Sequence, residues 1–77
     1  MNKNRRNAIS DIYDKLTDIQ SDLECIRDEE QEAFDNLPES IQCSERGERM
    51  EEYISSLDEA LDYVGYAVDS LDEENYV

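Results

Sequence analysis

A chain of 77 residues with a formal charge of −15 has room for one domain, near the lower limit at which a single core is self-sufficient. No stretch is apolar enough to cross a membrane, and the basic start at Lys3, Arg5 and Arg6 leads into no signal-peptide core, so the expected location is the cytoplasm. Twenty-two acidic residues against seven basic ones exclude nucleic acid as a direct ligand, because phosphate is repelled along most of the surface.

Residues 1–6 are polar and basic and are expected to be disordered. From about Asn7 to Asn36 the apolar spacing predicts a helix, with Ile9, Leu16 and Leu23 at heptad position a and Ile12, Ile19 and Ile26 at d. Glu30 is the first break in this seam, while Tyr13 and Phe34 fall beside it at e and widen the stripe. Leu37-Pro38 ends the helix, since proline disfavours a helical conformation in the residue before it. Within the connection, residues 37–44, Pro38–Cys43 reads as one short helical turn with Pro38 at its first position and Ile41 returning to the core.

Ser44 is the expected N-cap of a second helix, with Glu45 and Glu48 near its positive end. Gly47 stands where the glutamate of a capping box belongs, so the box is absent. The second helix is predicted over about residues 45–73. Met50, Leu57, Val64 and Leu71 take d, Ile54, Leu61 and Val68 take a, and Tyr53, Ala60 and Ala67 form a flanking column at g. Asp72, Glu73 and Glu74 oppose the negative end of the helix dipole, and residues 75–77 read as a frayed tail.

Two helices joined by a short connection predict an all-α, coiled-coil-like antiparallel hairpin, one domain over residues 7–74. A two-helix layer leaves each seam half open. The expectation is therefore a homodimer, a four-helix bundle held by the Ile9 to Ile26 and Ile54 to Leu71 seams, or a hairpin ordered by docking on a partner. Cys25 and Cys43 lack a CxxC spacing and read as free thiols.

The charge is distributed unevenly. Residues 16–77 hold three basic and 20 acidic side chains, so the expected partner is a basic protein. Asp11, Asp14, Asp18 and Asp22 step along one side of the first helix, where such carboxylates lie about 5–6 Å apart, close to the spacing of phosphates along a nucleic-acid strand. Asp28, Glu29 and Glu32 continue the field, and Asp58, Asp62 and Asp69 repeat it on the second helix. A helical rod about 40 Å long carrying these groups can imitate DNA or RNA before a basic groove. The plain alternative is a solvated face that keeps the chain soluble. Few Lys residues are placed to neutralise the acids at i, i+4, which favours a binding role. Tyr63 and Tyr66 fall at c and f, outside the seam, where exposed aromatics among carboxylates suit an interface or cover a dimer rim. Gly65 between them suggests close packing against another chain.

No catalytic residue is assigned. There is no His, no Ser or Cys in a nucleophile setting, and no cleft to hold paired carboxylates with separated pKa values. Asp28-Glu29-Glu30 with Glu32 lacks the alternating ligands and the glycine of a calcium loop, so neither a metal nor another cofactor is expected.

The run from Arg27 to Gln42 (RDEEQEAFDNLPESIQ), with Ser44-Glu45-Arg46-Gly47-Glu48 and Leu57-Asp58-Glu59-Ala60-Leu61, resembles small acidic helical proteins of bacteriophages and prophages. The likeness covers about residues 20–70. It implies a phage or mobile-element product in a bacterial cytoplasm. Proteins of that type are often inhibitors of host defence, including anti-CRISPR and anti-restriction proteins that occupy nucleic-acid grooves. Two functional readings result: an inhibitor that binds a basic, nucleic-acid-handling host protein through its acids, or a structural module that self-associates through its seams.

Overall fold

A computed structural model describes residues 1–75 of the chain. Of the expected tail, Tyr76 and Val77 lie outside the described residues. Helix α1 spans Lys3–Asp35, α2 is one turn over Glu39–Gln42, and α3 spans Glu45–Ser70, followed by a 3-10 turn at Glu73–Asn75. The first and third helices pack along each other as a hairpin. Their order is antiparallel: Arg27 meets Asp58, Gln20 lies beside Gly65, and Tyr13 shares a groove with Asp72. Among the described residues no helix is long and apolar enough to cross a membrane.

The N-terminal expectation is corrected, since residues 3–6 are helical. Asn2 adopts an extended conformation and its side chain accepts the Arg5 N–H at 2.8 Å. That bond satisfies one of the donors a helix start leaves without a partner. It offsets the unfavourable placing of Lys3, Arg5 and Arg6 at the positive end of the helix dipole. With 33 residues in α1, the molecule is a rod of 58 × 14 × 14 Å, longer than the roughly 40 Å expected.

At the turn, Pro38 stands just before α2 rather than at its first position, and Ile41 is half buried. Ser44 caps α3 as expected: its side chain accepts the Gly47 N–H, and its hydroxyl donates to the Ile41 carbonyl. Gly47 itself is buried. A Cβ there would lie 2.1 Å from the Gln42 carbonyl oxygen and 2.6 Å from that of Ile41. The missing capping box thus has a steric cause, since only glycine lets the first turn of α3 approach the backbone of α2. Helix α3 stops at Ser70, about three residues short of the expected end, where Asp72, Glu73 and Glu74 meet the negative end of its dipole.

Packing corrects the seam of α1. Its inward residues are Ile9, Tyr13, Leu16, Gln20, Leu23, Arg27 and Phe34, the a and e columns, all half buried. The d column is turned sideways, leaving Ile12 48%, Ile19 47% and Ile26 52% exposed. Helix α1 thus meets α3 through a and e rather than a and d, a choice that the heptad spacing alone does not make. On α3 the expected seam holds: Ile54 and Val68 are buried, and Leu57, Leu61, Val64 and Leu71 are half buried.

Gly65 faces Gln20 of the same chain, and a Cβ there would make an ordinary contact at 3.6 Å with that side chain's amide nitrogen. Close packing within the hairpin is therefore not its cause. Gly65→Ala is expected to raise stability by up to about 1 kcal/mol through helix propensity, seen as a higher urea midpoint with unchanged slope.

Candidate protein-interaction surfaces

Successive side chains on a helix are separated by about 100°, so the contact line between α1 and α3 fixes where every other column points. The hairpin has two broad sides. They differ sharply in chemistry.

One side is polar. Arg27 donates from Nε to Asp58 at 2.7 Å across the helices, and its guanidinium reaches Asp28 at 3.5 Å. The hydrogen bond and charge of Asp58, followed by those of Asp28, raise the Arg27 pKa above its ordinary value. Arg27 is thus the one cation set against a row of carboxylates. Beside it a shallow groove is lined by Gln20, Glu24, Asp62, Gly65, Tyr66 and Asp69. A second groove, toward the chain ends, is lined by Ser10, Tyr13, Asp14, Asp72 and Glu73.

The opposite side is apolar. Ile12, Ile19 and Ile26 of α1 run along it beside Tyr53, Ala60 and Ala67 of α3, with Tyr53 59% exposed. Near the turn, Glu30, Ala33, Arg46, Arg49, Met50 and Tyr53 line a depression. Arg5 and Lys15 fall on the same side by helical spacing. Four of the seven cations therefore lie within or beside it; of the 22 acids Glu30 lies within it, and Asp22 and Glu29, in one column with Lys15, flank it.

The acids singled out from the sequence do not form one surface. Asp11 and Asp18 occupy the outer edge of α1, away from α3, while Asp22 and Glu29, seven and fourteen residues after Lys15, stand between that edge and the apolar side. Asp14, Asp28 and Glu32 lean toward the polar side, where Asp58, Asp62 and Asp69 also stand. Every one of these groups is exposed except Asp58, which Arg27 partly covers. Tyr66 belongs to the polar groove, whereas Tyr63 lies on the outer face of α3 and donates to Glu59 at 3.2 Å. Cys25 and Cys43 are free and exposed. Among the described residues no three carboxylates or thiols come together as a metal site.

Glu24, Asp72 and Gln20 were not among the residues expected in a site. Their signal is the e column they share or border once α1 is known to pack through a and e. Arg46 and Arg49 were missed likewise, though their g and c positions already separate them from the acids. The chain matches no family model, no curated protein and no solved structure.

Proposed function

We propose that this chain is a binding protein of phage type that inhibits a basic host protein, one that handles nucleic acid and serves defence, by presenting carboxylates where DNA or RNA would lie. The supporting observation is the distribution of charge: the acids lie on the polar side and on the outer faces of both long helices and are sparse on the apolar side, along a rod 58 Å long. Only Arg27 neutralises them at close range among the described residues. Tyr66, 69% exposed between Asp62 and Asp69, adds an aromatic anchor to a charged rim.

Binding through such a surface weakens with salt, because exposed charges are screened. Reversing Asp14, Asp18 and Asp22 to Lys is expected to weaken capture of the partner by roughly tenfold to a hundredfold, at about 0.5–1 kcal/mol per rim charge, with helicity unchanged. Unchanged affinity in that variant removes the outer edge of α1 from the interface. Loss on reversing Asp62 and Asp69 instead moves the interface to the polar side.

The alternative is a structural module joined to itself or to another phage component through apolar contacts, and the open apolar side favours it. That reading predicts binding indifferent to salt and abolished by seam changes such as Leu23→Asp.

A further inference from the structure

We infer that the apolar side is the interface between two copies of this chain, packed about a two-fold axis that crosses α1 near Asp22 and Leu23. The proposal is independent of whether the acidic surfaces bind a basic protein.

Three observations carry it. The first is an excess of surface. The hairpin exposes 5825 Å², against about 4,850 Å² for a compact folded chain of its mass. Its radius of gyration is 17.4 Å, against about 11.5 Å for a compact domain of this length. Among the described residues Ile54 and Val68 are the buried hydrophobic side chains, at 7% and 8% exposure, and none falls below 2%. The second is what a pairing would cover. The stripe from Ile12 to Ala33 is about 32 Å long, and two helices side by side are about 20 Å wide. Each copy thus contributes roughly 600 Å², and the pair clears the roughly 1,000 Å² expected of a specific interface.

The third is charge. A body of −15 is repelled by another copy, by nucleic acid and by anionic lipid wherever its acids face outward. That barrier is lowest on the apolar side, which has Glu30 within it and Asp22 and Glu29 at its margin beside Lys15. A strongly basic protein is drawn to the acids instead, whereas a second copy can approach where they are sparse. The spacing is also self-complementary, as an isologous contact demands. Two α1 helices crossing antiparallel near Asp22 and Leu23 set Ile19 against Ile26 of the other copy and Ile12 against its Ala33. The same register sets Lys15 level with Glu29 and Glu30. Lys15 is the one cation in the middle of α1, and this pairing gives it a partner that the isolated hairpin does not.

Sedimentation equilibrium of the full chain from about 1 to about 100 µM tests the proposal. The expected mass is twice 9.0 kDa over most of that range. Ile19→Asp, buried twice in a two-fold contact, is expected to weaken association by about a hundredfold or more. Should that variant fail to fold, the surface change Lys15→Glu reads the same contact, with a loss of about threefold to thirtyfold. Lys15→Glu combined with Glu29→Lys keeps the net charge and is expected to restore the pairing. A wild-type mass of 9.0 kDa throughout overturns the proposal. So does a dimer indifferent to both Ile19→Asp and Lys15→Glu.

Discussion

Gly47→Ala is expected to destabilise the hairpin by about 2 kcal/mol, although alanine is the better helix former. Alanine's propensity recovers at most about 1 kcal/mol. Against that, its Cβ would stand 2.1 Å from one backbone carbonyl oxygen and 2.6 Å from another. Overpacking costs about 1–3 kcal/mol in general, and more where the neighbour cannot swing aside. Both neighbours here belong to the backbone of the turn, so α2 must separate from α3 to admit the methyl group. For a chain of this size the loss corresponds to a melting temperature about 10 °C lower. Thermal unfolding followed by circular dichroism reads it directly, and Gly65→Ala in parallel is expected to move the opposite way. Equal melting of wild type and Gly47→Ala would show that the turn does not press on the helix start.

The second large effect is at Ile54. It is 7% exposed in the α3 seam toward the turn, and its truncation leaves a cavity in a core only one layer thick. Ile54→Ala is expected to cost about 2–4 kcal/mol. A domain of this length has about 4–12 kcal/mol of stability in total, so that loss is a large share. Ile12→Ala is the comparison. Ile12 is 48% exposed in the hairpin, so its truncation removes little contact within one chain. Urea midpoints measured at a low and a high protein concentration separate two sources of stability. The Ile54 deficit is expected at both, and any Ile12 deficit only where copies associate. Equal deficits at low concentration would contradict a core centred on α3.

Much of the architecture is legible from the residues alone. Pro38 stops the first helix and Ser44 starts the last, because these depend on local sterics, and the Met50 to Leu71 column packs inward with Ile54 and Val68 as its apolar spacing requires. The face of α1 is less legible. Ile9 to Ile26 satisfy a heptad on paper, but α1 meets α3 through its a and e columns, and Gln20 and Arg27 pack inward where a hydrophobic rule does not look. The cap at Asn2 was hidden behind the basic run that follows it. Reading the acids residue by residue also concealed their grouping. Whether Asp22 and Asp62 share a surface depends on which face of α1 meets α3, and that follows from Gln20 beside Gly65 and Arg27 bonded to Asp58.

The most direct test of an acidic surface that takes the place of nucleic acid is competition. The tagged full chain would be used to capture protein from bacterial lysate expressing restriction and CRISPR systems, at low and at high salt, with and without added duplex DNA. The predicted result is a basic nucleic-acid-binding protein retained at low salt, released at high salt and displaced by DNA. Retention that neither salt nor DNA disturbs, or recovery of nothing but the chain itself, would contradict a nucleic-acid-like role and leave self-association as the function of the fold.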